Sequence, residues 1–409
     1  MKLEGEAQQS RTRKQTVRTS VRTGLWVVIA ITLMVGLSGC GPPTPDVVLV
    51  GGIFDLTGAT NEVGIPYANG VRDYVQCINE RGGINGRQIG LIDEDYVYNI
   101  ERAQALYTRL VEEDEVLVIM GWGTGDTEVL RPRIAADEIP FMSASYSEEL
   151  TIIETAPYNF LIGVTYSDQM RVALRYILDS WTDTTRLPRV AFIYSDTPFG
   201  LSPIQDGRDY AVAHGIEVVD EQIVSLSAID VTNELQAMAA TNPDYAIVQE
   251  TTAAASVIVL TAREMDLPTQ FVLLNWAADE KLIRLCGEAA EGVLGTLSFS
   301  LISEDAPGLA EIRSFNQARG IDPATRNIRY VQGWVTMQVM TEGIRRAGDD
   351  LTGRGIREGL ESLTDFETGG ITAPITFSPT SHKGATALRI YQVQEGEWVP
   401  ITDYLEAQP

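Results

Sequence analysis

The chain has 409 residues, more than one hydrophobic core normally organises, so two domains are expected. With 56 acidic against 31 basic residues its formal charge is −25, and most of the early basic residues (Lys2, Arg11, Arg13, Lys14, Arg18, Arg22) fall in a segment expected to be removed. An acidic body argues against nucleic acid and anionic membrane surfaces as partners and is otherwise a solvated face that aids solubility.

A basic region ends at Arg22, an apolar run covers Leu25 to Leu37, and Leu37-Ser38-Gly39-Cys40 follows. The run is shorter than the ~20 residues that span a bilayer, which fits the core of an export signal over residues 1–39. The small residues before the cysteine resemble the bacterial lipobox. That resemblance implies cleavage before Cys40 and lipid on its thiol; an uncleaved anchor is the alternative and leaves the body on the same side. Residues 40–45, with Gly41-Pro42-Pro43-Thr44-Pro45, read as an extended tether. The body is therefore expected outside the cytoplasm.

From Asp46 strands and helices alternate. Val47 to Phe54 reads as a strand and Tyr67 to Arg81 as a helix with Val71, Tyr74, Val75 and Ile78 on one face, stopped by Gly82-Gly83. Gln88 to Glu94 is the next strand and Glu101 to Glu112 the next helix. Val116 to Met120 is short and apolar, as buried parallel strands are, and breaks at Gly121-Trp122-Gly123-Thr124-Gly125. A helix follows, with Thr124 or Asp126 as N-cap and Val129, Ile134 and Ala135 at helical spacing. Ile139 to Met142 is a second short strand, ending in Ser143-Ala144-Ser145-Tyr146-Ser147. Two parallel strands thus run into turns rich in small hydroxyl residues. In open α/β sheets ligands sit beyond such strand ends, where helix N-termini hold anions.

The rhythm continues with strands at Asn159 to Val164, Val190 to Tyr194, Glu217 to Val224, Asp244 to Gln249, Phe271 to Asn275 and Val293 to Phe299. Helices open at Ser167 and run from Phe199 to His214. After Pro307 helices dominate (Leu309 to Arg319, Arg329 to Ala347, Arg354 to Leu363), and Leu388 to Gln394 with Trp398 to Ile401 forms a hairpin around Glu395-Gly396. Alternating β and α elements imply doubly wound sheets with right-handed crossovers. Cys77 and Cys286 lie in separate apolar patterns and read as two buried thiols. No CxxC spacing supplies a metal site, and His214 and His382 read as surface residues.

GGIFDLTG (Gly51 to Gly58), NERGGINGRQIGLIDED (Asn79 to Asp95) and EIPFMSAS (Glu138 to Ser145) resemble the first lobe of the leucine/isoleucine/valine-binding protein family, the extracytoplasmic solute-binding proteins of branched-chain amino-acid-type ABC transporters. RVAFIYSD (Arg189 to Asp196), Phe199-Gly200 and CGEAAEG (Cys286 to Gly292) extend the resemblance through the second half. It implies the type I periplasmic binding protein fold: two Rossmann-like lobes, each a parallel sheet with helices on both faces, joined by a hinge. The expected lobes are 46–165 with 298–377, and 166–297 with 378–409. A monomer without cofactor or metal is expected, handing its ligand to ABC permease subunits; a sensor of the same fold serving a signalling receptor is the alternative.

Enzyme motifs find no support. GxGxxG requires glycine where Asp126 stands, and no Walker A, HExxH or GxSxG occurs. Binding chemistry is better supplied. A ligand carboxylate can be held without arginine by hydroxyls and backbone N–H groups converging at a helix N-terminus. Thr124 and Gly125, with Ser145, Tyr146 and Ser147, offer this, and the resemblance places the carboxylate there, within one residue of Gly123 to Gly125. The opposite wall is expected from Phe199, Thr251 and Asn275-Trp276. Where amino-acid binders of the family set an acidic residue to pair with the ligand ammonium, Asn275 is neutral; Glu250 or Asp279 could substitute. Trp122, Tyr146, Phe199 and Trp276 would line a cleft suited to branched-chain or aromatic amino acids, related acids or amides.

Overall fold

The computed structural model describes residues 47–407; the export signal, Cys40 and the tether lie outside the described residues. The first lobe opens with β1 (Val47–Phe54), α1 (Asn61–Glu80), β2 (Gln88–Asp95), α2 (Ile100–Glu112), β3 (Val118–Met120), α3 (Thr124–Ala136) and β4 (Phe141–Met142), whose strands form one parallel sheet in the order β2-β1-β3-β4. β1 and β3 occupy the middle and are almost wholly buried, which is why they read as unbroken apolar runs.

The second sheet is reached through α4 (Tyr166–Ser180), β5 (Arg189–Tyr194), α5 (Pro198–Leu201), α6 (Ile204–His214), β6 (Glu217–Ile223), α7 (Thr232–Ala240), β7 (Tyr245–Gln249), α8 (Thr252–Glu264), β8 (Gln270–Leu273), α9 (Glu280–Cys286) and β9 (Leu294–Leu297). The chain then goes back to the first sheet's layer as α10 (Pro307–Gln317), α11 (Ile328–Ala347) and α12 (Gly353–Glu361), and finally returns as β10 (Ala387–Gln394), β11 (Glu397–Pro400) and β12 (Leu405–Glu406). The sheet order is β11-β10-β9-β8-β7-β5-β6, with β12 against β10. Strands β5 to β9 are parallel, and the β10–β11 hairpin adds an antiparallel edge to them.

α11 packs along α1 at close range. A Cβ on Gly70 would run into Tyr330 O, and one on Gly333 into Tyr67 O, so each glycine lets the opposite backbone approach. The connecting segments lie side by side: Leu161 bridges Lys383, the Val164 N–H donates to Ser298 Oγ at 3.4 Å, and Lys383 joins Glu148 and Asp168.

Several expectations need correction. α1 starts at Asn61, well before Tyr67, because Pro66 is carried inside it rather than before it. Residues 159–164 make only isolated bridges, since they connect the lobes instead of lying in a ladder. Pro203 splits the helix expected from Phe199 to His214 into α5 and α6. In α3 the buried position is Leu130, whereas Val129 is 45% exposed, a phase error of one residue. His382 is fully buried, not on the surface: its ring stacks on Phe160 at 3.8 Å, Nδ1 meets Asn159 O, and Nε2 meets Glu361 at 3.1 Å. Burial pushes its pKa down, against the pull of Glu361. His214 is exposed, and Cys77 and Cys286 are separate buried thiols.

Candidate functional site

At the end of β3 the chain turns through Gly121-Trp122-Gly123 into α3, and the N-cap is Gly123, neither Thr124 nor Asp126. A Cβ on Gly123 would strike the Asp126 carboxyl and the Tyr96 hydroxyl. Thr124 is the first helical residue, and its hydroxyl turns sideways to share a 2.8 Å hydrogen bond with Ser145 Oγ. Asp126 is buried and accepts from Tyr96 OH at 2.9 Å through Oδ1, while Oδ2 has no partner. Burial pushes its pKa up to about 6.

Rings from both lobes converge beside this turn. Trp122 packs edge-on to Tyr67 and to Trp276, each with centroids 5.2 Å apart, and its Nε1 donates to Thr60 Oγ1 at 2.8 Å. Thr60 in turn donates to the buried Asp55. Trp276 stacks on Tyr146 and donates through Nε1 to Tyr166 OH at 3.0 Å. Phe199, from α5, meets Tyr166 edge-on. Trp122, Trp276, Tyr166, Phe199 and Thr60, with Tyr98, Val63, Ala144, Gly123, Thr124 and Thr251, enclose a free volume of about 20 Å³. That is about one water, so a larger ligand enters only as the lobes or side chains move.

Trp122, Gly123, Thr124, Phe199, Thr251 and Trp276 therefore line one cavity. Ser145 and Tyr146 stand behind it, paired with Thr124 and Trp276 respectively. Gly125 sits instead where α3 meets the other lobe at Pro198. Ser147 is occupied, donating to Glu128 Oε1 at 2.7 Å and accepting from Ser202 across the cleft.

Asn275 is not part of the wall. It lies in a short turn after β8, fully buried, and accepts from Gln332 Nε2 at 3.0 Å. Its carbonyl, with that of Ala278, accepts from Arg329, which also pairs with Asp279 at 3.5 Å and lies 4.9 Å from the Trp276 ring. Asp279, the alternative acid, is thus committed to Arg329 and caps α9. Glu250 is 1% exposed, and neither of its carboxyl oxygens makes a hydrogen bond of good geometry, although the Thr251 N–H favours its ionised form. Burial and Glu62 hold its pKa well above the usual carboxylate range.

Tyr98, Ala144, Tyr166, Thr60 and Val63 line the cavity and were missed by the sequence reading. The strand-end rule that picks out Trp122 and Ser145 also covers Tyr98, just beyond β2, and could have found it. Tyr166 opens α4 directly after a connecting segment, where no strand marks it.

A family model described as a periplasmic binding protein matches residues 47–397. The chain belongs to the periplasmic binding protein family. This member of it superposes on a branched chain amino acid ABC transporter from Thermus thermophilus with bound valine, at a TM-score of 0.82 and 27% identity over 88% of this chain and 96% of that one. An ABC transporter substrate binding protein of Aeropyrum pernix gives a TM-score of 0.82 and 28% identity over 89% and 96%. The Leu/Ile/Val-binding protein of Escherichia coli (strain K12) is 24% identical over 250 residues; the match spans 59% of this chain and 65% of that relative's length. These relatives are of the kind implied by the Gly51 to Gly58 and Asn79 to Asp95 motifs.

Proposed function

We propose that this periplasmic binding protein is held outside the cytoplasm by lipid on Cys40 and captures a small amino-acid-like solute between its lobes for delivery to an ABC permease. The observation that carries the reading is the cavity itself: rings and hydroxyls from the ends of β3, β7 and β8 and from α5 meet around one space. The lobes are 46–165 with 298–377, and 166–297 with 378–409. A ligand touching both stabilises their closed arrangement by its differential affinity, and a permease reads that arrangement. The Thr124–Ser145 hydroxyl pair at the start of α3 is the seat for a ligand carboxylate, where the helix N-terminus supplies free N–H groups and positive potential. Branched-chain or aromatic amino acids, related acids and amides are the first compounds to try.

The test is thermal unfolding of the body from Gly41 onward against such a panel, since a ligand bound only by the folded form raises the midpoint. For a compound that does so, Thr124→Val with Ser145→Ala is expected to weaken binding at least tenfold, about 1.4 kcal/mol. Unchanged affinity would put the carboxylate elsewhere.

A further inference from the structure

Resting on the two-lobe reading above, the bonds that cross from one lobe to the other are unevenly shared along the seam. Where Ser202 and Ala253 face the first lobe they are single and long: Ser202 Oγ meets Ser147 Oγ at 3.3 Å, and the Ala253 N–H meets Glu62 at 3.4 Å. The first turn of α11 is different. Arg329 Nη2 donates to Asn275 O at 2.6 Å and to Ala278 O at 2.8 Å, and Gln332 Nε2 donates to Asn275 Oδ1 at 3.0 Å. The Ile328 N–H, which a helix start leaves without an intrahelical partner, donates to Glu280 Oε2 at 3.0 Å. Asp279 faces Arg329 at 3.5 Å, and Arg329, Gln332, Asn275 and Asp279 are all buried. Asn275 Nδ2 and Glu280 Oε1 go without partners, which is the cost of placing the network out of water.

Both ends of this network are fixed within their own lobes. α11 is seated on α1 by the close approach at Gly70 and Gly333, so it moves with the first sheet. The turn after β8 is held from behind, where Gln169 Oε1 accepts from the Asn275 N–H at 3.0 Å and Trp398 Nε1 donates to Asp279 O at 2.8 Å. Gln169 lies on α4 and Trp398 on β11, both in the second lobe. The turn therefore has anchors of its own, and parting the lobes here breaks the α11 bonds rather than deforming either end. Buried polar groups that meet in this way rigidify one geometry. Every donor and acceptor among these bonds belongs to the chain itself, so the bridge owes nothing to a solute.

The same turn carries the cavity's Trp276. Its ring lies 4.9 Å from the Arg329 guanidinium and stacks on Tyr146, and its carbonyl accepts from Thr252. The helix that bridges the lobes thus also backs one wall of the site.

We propose that the first turn of α11 is a latch: Ile328, Arg329 and Gln332, gripping the turn from Asn275 to Glu280, keep the lobes mainly closed before a solute arrives and hold Trp276 against the cavity. Entry then depends on brief opening. Apparent affinity scales with the fraction of molecules already in the binding-competent form, so a latch that raises this fraction strengthens capture without touching the solute.

Small-angle scattering and hydrogen exchange of the body from Gly41 onward, refolded to remove carried-over solute, test this. With nothing added, the wild type is expected to give the radius of gyration of the closed arrangement and slow exchange in the peptide that contains Ile328. Arg329→Met is expected to enlarge that radius and speed that exchange, and Arg329→Lys, which keeps the charge, to do so less. Gln332→Met removes a bond to the turn but no charge; it should shift both readings in the same direction and guards against an Arg329 variant that fails to fold. A wild type that is expanded with nothing added, or folded variants with the wild-type radius and exchange, would overturn the latch and leave the solute-receptor reading intact. A panel in which no compound raises the unfolding midpoint would overturn that reading and leave the latch standing on its own two measurements.

Discussion

Arg329 on α11 reaches across to the turn that follows β8. It is fully buried, and its partners Asn275, Ala278 and Asp279 come from the far side of the cleft. Removing one member of such a pair strands the other charge, a loss of about 3–5 kcal/mol. Arg329→Met should therefore lower the unfolding midpoint sharply, and adding Asp279→Asn should recover part of the loss; a double-mutant cycle with no coupling would contradict the pairing. Asn275 shows why site residues are only partly legible in a sequence. Its place after a strand suggested a cavity wall, but its partner lies 54 residues away on a helix of the other lobe. Strand-end position is a local signal, and it picked out Trp122, Thr124, Thr251 and Trp276, which line the cavity. Which side chains turn inward and which are claimed from behind depends on distant partners.

Among the elements, the α1–α11 crossing leaves little tolerance. Gly70 and Gly333 each face opposite backbone that a methyl group would strike. Gly333→Ala should cost about 1–3 kcal/mol by overpacking, read as a lower denaturation midpoint at unchanged slope. A neutral result would mean that the helices separate freely. Nothing in the chain before residue 298 announces this contact, because the helix that makes it arrives after the whole second sheet. The strands themselves were readable: central parallel strands such as β1 and β3 must be apolar on both faces, and their sequences say so. The connecting segment at 159–164 was misread for the same reason, being apolar and short without belonging to a ladder.

For the whole molecule, buried acids set the response to pH. Asp126 is raised to about 6 and Glu280 to about 7 by burial, and Glu250 is raised as well. Each binds its proton more tightly folded than unfolded, where carboxyl groups titrate near ~4. Their contribution to stability is complete below that value and is lost as pH rises through the raised values. His382 acts in the opposite sense below its ordinary 6.5, because the folded chain resists protonating it. Three acids outweigh one imidazole, so the unfolding midpoint is expected to be higher at pH 5 than at pH 7.5, and Glu280→Gln should flatten that limb. A midpoint that rises from pH 5 to 7.5 would show that His382 dominates.

The return of the chain as β10 also bears on synthesis. β9 offers its outer edge to residues 387–394, which are made only after α10, α11 and α12. Until they emerge, the β9 side of the second sheet has a bare edge open to proteases or to pairing with another copy. The β9 edge is covered only by strands made after α10 to α12, so a product interrupted between β9 and β10 carries a visible mark of its incompleteness.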